Sequence, residues 1–162
     1  MDWNAIFENF RRAVAEHYFD LNGRVGRREF WYFVAVDLVI SILLSAIFAP
    51  LAALFNLAMV LPEAGMGARR LQDTGRDGRL VWLLLILIVV RTVAVLMTAL
   101  TFAIAGPLGF LFVPGAGLVV IASLVVGLVL LWFWCQPGDP GSNAYGPPPP
   151  VFDPSLRASS SP

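Results

Sequence analysis

Seven arginines flank the first long apolar stretch of this chain, and their guanidinium groups have the chemistry needed to bind phosphate. Arg presents planar donors that match a phosphate group bidentately, and a basic residue near an anionic membrane surface contributes about 1 kcal/mol of attraction. Acidic side chains at Glu29, Asp73 and Asp77 lie among them and could pair with some of the charges. The candidates for lipid or phosphate contact are Arg24, Arg27, Arg28, Arg69, Arg70, Arg76 and Arg79.

These arginines also have a topological interpretation. Cytosolic loops of membrane proteins are enriched in basic residues, and this positive-inside rule alone accounts for most of the cluster. Turn and cap chemistry at Asp73, Gly75, Asp77 and Gly78 would then structure a loop that joins two helices. Both interpretations place the loop at a membrane surface, because a guanidinium group at the bilayer centre costs about 3 kcal/mol.

Three further ionisable residues, Asp37, Glu63 and Arg91, lie inside apolar stretches. Helical spacing places Arg91 on a stripe of small residues, and such stripes mark the surfaces where membrane helices pack closely. We therefore expect Arg91 to face the other helices, where the carboxylate of Asp37 or of Glu63 could reach it. The cluster would be either an ion pair that fixes helix register or a polar pathway for an ion or small solute.

Other motifs do not support catalysis. The triplet Asp73-Thr74-Gly75 matches aspartic proteases, but that chemistry needs two such carboxylates sharing a proton, and the chain has one copy. The spacings Gly23-x-x-Gly26 and Gly75-x-x-Gly78 are too short for a nucleotide-binding loop. His17 and Cys135 are single and lack the spaced ligands of a metal site. We predict no catalytic residue, cofactor, metal or nucleic-acid partner, and we expect that the protein is not an enzyme.

The composition indicates an integral membrane protein. Hydrophobic residues make up 58% of the 162 residues and charged residues 14%, with a mean hydropathy of +0.76, whereas soluble domains carry about 25% charged residues. Residues 1–28 contain charges throughout and no apolar signal-peptide core. The first span is therefore expected to act as its own insertion signal.

The Arg clusters predict the topology of the first two spans. Residues 30–68 are almost wholly apolar and too long for one crossing, which takes about 20 residues. Basic residues flank this stretch on both sides, so both flanks are expected in the cytosol and the stretch is expected to be a helical hairpin. Its turn should lie near Ala49-Pro50-Leu51, because Pro is unfavourable inside a helix.

The whole chain is expected to form an all-α, four-transmembrane-helix bundle with both termini in the cytosol. The predicted spans are residues 30–48, 52–68, 80–105 and 110–134, within a membrane domain over 29–135. Residues 1–28 form a cytosolic or interfacial segment with an amphipathic helix, which lies at the membrane interface or packs on the protein's own cytosolic surface. Residues 136–162, rich in Pro, Gly and Ser, are expected to be a flexible tail that is extended or disordered.

Three ordered motifs resemble the YhaH-type bacterial inner-membrane family, domain of unknown function 805. The resemblance runs from about Phe10 to Pro148 and implies a small multi-span inner-membrane protein, without bringing an established activity. The motifs are Gly23-Arg24-x-x-Arg27-Arg28-Glu29-Phe30-Trp31-Tyr32-Phe33, Ala68-Arg69-Arg70-Leu71-Gln72-Asp73-Thr74-Gly75-Arg76-Asp77-Gly78 after Leu61-Pro62, and Gly141-Ser142-Asn143-Ala144-Tyr145-Gly146-Pro147 after Pro137-Gly138.

Two functional hypotheses follow. The first is a non-catalytic scaffold or accessory protein of the bacterial inner membrane, whose Arg-rich cytosolic face contacts anionic phospholipid headgroups or a partner. The second is a small-solute or ion transporter that uses Asp37, Glu63 and Arg91. A homo-oligomer or a membrane-protein partner is compatible with both.

Overall fold

The computed structural model describes residues 3–152, and every regular element within them is helical. Five α-helices and one 3-10 helix follow one another along the chain, which confirms the predicted all-α class. They are α1 (Trp3–Ala15), α2 (Arg27–Ile47), α3 (Ala49–Asp73), α4 (Leu80–Ala105), the 3-10 helix Gly106–Leu111, and α5 (Val113–Cys135).

Four of these helical segments are long and apolar enough to cross a membrane, as the sequence predicted. They are α2, α3, α4 together with the 3-10 helix, and α5, with 21, 25, 32 and 23 residues respectively. At about 1.5 Å per residue, even the shortest matches the hydrocarbon thickness of about 30 Å.

Residue contacts divide the chain into two compact units. The hairpin unit contains α1, α2, α3 and the chain from Trp134 onward, within Met1–Gly78 and Trp134–Pro162. The second unit is Arg79–Phe133. Inside the second unit, Phe102 of α4 packs edge-on against Phe110, with ring centroids 4.9 Å apart.

The turn between α2 and α3 is a single extended residue, Phe48, with φ −158° and ψ 101°. Its N–H still donates to the Leu44 carbonyl at 2.8 Å. Pro50 follows within the first turn of α3, where a missing N–H breaks no helical hydrogen bond. The break lies one residue before the expected Ala49-Pro50-Leu51.

The second helix of the hairpin is longer than the sequence suggested. Residues 69–73, expected to belong to a polar turn, form the last turn of α3, and the turn proper begins at Thr74. Gly75 has φ +73°, its N–H donates to the Gln72 carbonyl, and the N–H of Arg76 donates to the Leu71 carbonyl. This pair of bonds is a Schellman motif, which needs a residue with positive φ and so favours Gly.

The amphipathic helix α1 packs on the protein's own helices and also presents aromatic side chains outward. It buries Ala5, Ile6, Asn9 and Ala13 against α2 and α3. Trp3 and Phe7 stay exposed, at 68% and 63%, as at a membrane interface. The core that it joins consists of Ala13, Val25, Phe30, Phe33, Met59 and Met66.

Candidate functional site

Three segments distant in sequence meet at one end of the hairpin unit, here called the polar end. They are the loop before α2, the last turns of α3 and the chain after α5. They contain the three motifs that carry the family resemblance, and two buried arginines and one buried aspartate join them.

Arg24 holds the chain after α5 against the end of α3. Only 1% of its side chain is exposed, and its Nε atom donates to Asp73 Oδ1 at 3.0 Å. Its Nη1 atom donates to the Gly141 carbonyl at 2.6 Å and to the Gly146 carbonyl at 3.2 Å, while Nη2 donates to the Asp139 carbonyl at 2.5 Å. The guanidinium group therefore binds one carboxylate and three carbonyls at once.

Arg70 makes a similar set of contacts from inside α3. Its side chain is fully buried and donates to Asp73 Oδ2 and to the Gln136 carbonyl. It also reaches the Trp134 carbonyl at 3.1 Å. Asp73 thus bridges two guanidinium groups, and we call Arg24, Arg70 and Asp73 the arginine clamp.

The clamped chain also satisfies backbone groups at the end of α3. The N–H of Asp139 donates to the Asp73 carbonyl at 2.8 Å, and the Asn143 amide donates to the Gln72 carbonyl at 2.9 Å. Helix C-termini leave carbonyls without intrahelical partners. The docked chain supplies a donor to the carbonyl of Asp73 and a second donor to that of Gln72, which also accepts the N–H of Gly75. A Cβ atom at Gly138 would overlap the Asp73 carboxylate, which shows how closely the two segments approach.

The segment from Gln136 to Phe152 therefore has specific contacts that its composition did not predict. It contains no helix, and an isolated bridge pairs Asn143 with Gly146. The ring of Phe152 packs against Tyr32 of α2, with centroids 5.8 Å apart. The rest of the predicted flexible tail, residues 153–162, lies outside the described residues.

Some of the predicted phosphate-contacting arginines are buried in the protein, and others are exposed on its surface. Arg24 and Arg70 form the clamp, and Arg69 has a residue exposure of 8%. Arg27 and Arg28 are exposed in the first turn of α2. Arg76 is partly buried, and Arg79 is exposed at the N-cap of α4 in the second unit.

The predicted loop-structuring residues occupy distinct positions. Asp73 is the centre of the clamp, and Gly75 is the glycine of the helix cap. A Cβ atom at Gly78 would lie 2.8 Å from the Gln72 amide nitrogen. Asp77 is exposed in the turn.

A cavity of about 360 Å³ lies beside the clamp, between α1, α2, α3 and the chain after α5. Its polar lining includes Arg12 and His17 of the α1 region, Glu29 of α2 and Arg69 of α3, and residues 149–152 close one side. Sequence reasoning missed Arg12, His17 and the 149–152 wall. Nothing in the local sequence around these residues indicates that they line a common cavity. Their proximity depends on how α1 and the chain after α5 fold back onto α2 and α3.

A second polar feature lies between α2 and α3. The carboxyl groups of Asp37 and Glu63 are within hydrogen-bonding reach of each other, and Ser41 Oγ donates to Asn56 Oδ1 at 2.9 Å. Arg91 belongs to α4 in the second unit, and its pairing with either carboxylate stays a prediction.

Among residues 3–152, no group of three or more His, Cys, Asp or Glu side chains is arranged to hold a metal ion. Guanidinium groups lie in the clamp, in the cavity and on the exposed first turn of α2, and they supply the candidate chemistry of the polar end.

Comparisons with known proteins identify relatives in bacterial inner membranes. Residues 18–147 match the family described as "Protein of unknown function (DUF805)". The chain is 29% identical over 144 residues to inner membrane protein YhaI of Escherichia coli K12, which covers 85% of this chain and 92% of YhaI. It is 24% identical over 160 residues to inner membrane protein YhaH of the same organism, covering 92% and 97%. No solved structure gives a significant match.

Proposed function

This chain belongs to the DUF805 family, and we propose that it is a non-catalytic scaffold or accessory protein of the inner membrane whose polar end binds anionic phospholipid headgroups on the cytosolic side. The exposed guanidinium groups of Arg27 and Arg28 at the start of α2 carry this proposal. They are the first two residues of the 21-residue helix α2, which is long and apolar enough to cross a membrane, so they would lie at the level of the headgroups in the membrane.

The surrounding side chains support the same placement. Trp31 and Tyr32 follow one turn later, where interfacial aromatic residues belong, and α1 exposes Trp3 and Phe7. The cytosolic leaflet carries anionic lipids that attract basic residues. The clamp holds the loop that precedes Arg27, because Arg24 in that loop donates to Asp73 at the end of α3.

The test compares lipid preference in reconstituted vesicles. Quenching of Trp fluorescence by brominated lipids would report the preference for phosphatidylglycerol over phosphatidylcholine. We expect an Arg27→Gln/Arg28→Gln double variant to lose most of this preference and of its salt dependence. An Arg11→Gln variant is the control, because Arg11 is an exposed arginine bound to Glu8 and Glu16. An unchanged preference in the double variant would refute the headgroup role.

The α2–α3 polar pair favours a second candidate function, transport of an ion or small solute. Asp37 lies ten residues from Arg27 along α2, and Glu63 lies ten residues from Asp73 along α3. Both are thus about 15 Å from the polar end, which places them deep in the span. Flux measured in vesicles should then be lost in Asp37→Asn and in Arg91→Leu while both variants still insert and fold. Normal flux in both variants would exclude this function.

A further inference from the structure

One buried guanidinium group in the hairpin unit lacks a strong partner. Arg69 is 8% exposed, and within residues 3–152 its side chain donates to the Gly65 carbonyl at 3.4 Å and to the Met66 sulfur at 3.2 Å. Both contacts are weak, and neither acceptor is a carboxylate. The neighbouring Arg70, by contrast, donates to one carboxylate and two carbonyls.

A buried guanidinium group with this few acceptors is unfavourable by itself. Asp20 and Glu29 act on Arg69 through their charge, but the structure shows no hydrogen bond from it to either of them within the described residues. Arg69 lines the polar cavity, so its remaining donors can reach a ligand there. An oxyanion in the cavity would supply the acceptors that the protein does not.

The charges around the cavity fit an anion. The arginines Arg12 and Arg69 line the cavity with one carboxylate, that of Glu29. Arg12 also forms an exposed ion pair with Glu16 at 3.7 Å. His17 is hydrogen-bonded to Asp20 at 3.1 Å, and Arg24 is bound to Asp73. Arg69 is therefore the lining arginine whose guanidinium group makes neither an ion pair nor a hydrogen bond with a carboxylate within the described residues. The volume of about 360 Å³ falls in the range of small-molecule sites, about 300–1,000 Å³. A phosphate-bearing headgroup is the class of anion that planar guanidinium donors match best.

An apolar groove of about 380 Å³ lies next to this cavity, between Trp3, Ile6 and Phe7 of α1 and the Tyr32–Leu43 part of α2. The two spaces have neighbouring lining residues, because Phe152 of the cavity packs on Tyr32 of the groove. Along α2, Glu29 of the cavity is followed at helical spacing by Tyr32 and Val36 of the groove. The lining therefore changes from charged to apolar along one helix face.

From this juxtaposition we propose that the hairpin unit holds one phospholipid, with its phosphate on Arg69 and Arg12 in the cavity and an acyl chain in the groove between α1 and α2. A free phosphate ion would leave the groove without a role, whereas a phospholipid fills both spaces. The proposal deepens the headgroup role and rests on it for placing the polar end at a membrane surface. It adds a single, stoichiometric site to the general attraction of Arg27 and Arg28.

Native mass spectrometry of the full chain in detergent would count bound lipids. After delipidation, phosphatidylglycerol is added back, and we expect one lipid to be retained per chain. Arg69→Gln and Arg12→Gln should each weaken this binding by about tenfold or more, the effect of losing one charge-assisted hydrogen bond. Arg12 is 47% exposed in its side chain, so its substitution tests the site without disturbing buried packing, and Arg11→Gln is the matched control.

The groove is tested separately with Val36→Trp, which places an indole in it. Leu38→Trp is its control, because Leu38 is exposed on α2 and does not line the groove. We expect Val36→Trp to weaken retention of phosphatidylglycerol and Leu38→Trp to leave it unchanged. Inorganic phosphate should compete poorly, and diacylglycerol, which lacks the phosphate, should bind weakly.

Two results would overturn the proposal. Inorganic phosphate that competes as well as the phospholipid, together with normal binding by Val36→Trp, would indicate a site for soluble anions. Retention of the lipid in both Arg69→Gln and Arg12→Gln would exclude the cavity. Either result leaves the surface preference of Arg27 and Arg28 standing, because that preference is measured with different variants and by Trp quenching.

Discussion

The Nε atom of Arg24 lies 3.0 Å from Oδ1 of Asp73, so the loop before α2 and the last turn of α3 share one buried ion pair. The exposed fractions of the two side chains are 1% and 4%. Arg70 contacts the other oxygen of the same carboxylate. One carboxylate thus compensates two buried guanidinium groups. Carbonyls in the last turn of α5 and in the chain after it accept further hydrogen bonds.

Replacement of Asp73 by Asn should therefore destabilise the hairpin unit strongly. It would leave two buried guanidinium groups without a counter-charge, and removal of one partner from a buried ion pair costs about 3–5 kcal/mol. Thermal unfolding in detergent would measure this loss. Asp77→Asn is the control, since Asp77 is exposed in the adjacent turn, and equal unfolding temperatures for the two variants would refute the role of the clamp.

Gly138 offers a test of the docked chain that leaves every charge in place. A Cβ atom there would overlap the Asp73 carboxylate, whereas a Cβ atom at Gly141 meets nothing within 4 Å. We expect Gly138→Ala to lower the free energy of unfolding by about 1–3 kcal/mol through overpacking, and to make the chain after Gln136 more sensitive to limited proteolysis. Gly141→Ala should behave like the parent chain, and the same behaviour in Gly138→Ala would show that this segment is not held at Asp73.

The sequence predicted the spans better than the polar end. Long apolar runs and flanking arginines indicate membrane helices directly, and the four helices match that expectation. The sequence indicated that Asp73 could pair with nearby arginines, but it could not show the rest of the clamp contacts. The other partners of Arg24 are backbone carbonyls more than 100 residues away, and carbonyls have no sequence signature. The composition after Gln136 indicates only that this segment cannot form its own core, which leaves open whether it docks on another element.

The same limit applies to the arginine cluster. Sequence spacing treated Arg69 and Arg70 as equivalent members of one charged turn. Helix α3 continues through both residues, so their side chains point in different directions, and Arg70 enters the clamp while Arg69 faces the cavity. Adjacent residues on a helix are separated by about 100°, and only the packing of α1 and the chain after α5 determines what each one meets.

The Asp37–Glu63 contact should appear as an energetic coupling between α2 and α3. Two carboxyl groups this close cannot both be ionised without repulsion and tend to share a proton. Asp37→Leu and Glu63→Leu should each destabilise the protein, and the double variant should be less destabilised than the sum by about 0.5–3 kcal/mol. Asp37→Asn is the control, because its amide can still donate to Glu63, and it is expected to retain most of the stability. Additive effects of the two Leu variants would show that the carboxyl groups do not interact.

Reporter fusions should place both termini in the cytosol. Four crossings return the chain to its starting side, and the basic residues before α2 and in the turn before α4 favour retention of both segments in the cytosol. The 3-10 helix Gly106–Leu111 carries no charge and should lie on the opposite side of the membrane. A fluorescent protein that matures only in the cytosol should therefore be bright at either terminus. Alkaline phosphatase, which is active only outside the cytosol, should be active when inserted after Leu108. The same insertion after Asp77 is the control and should be inactive. An active enzyme at Asp77 would invert the topology and expose the arginines to the periplasm, where the attraction of the anionic cytosolic leaflet could not act on them.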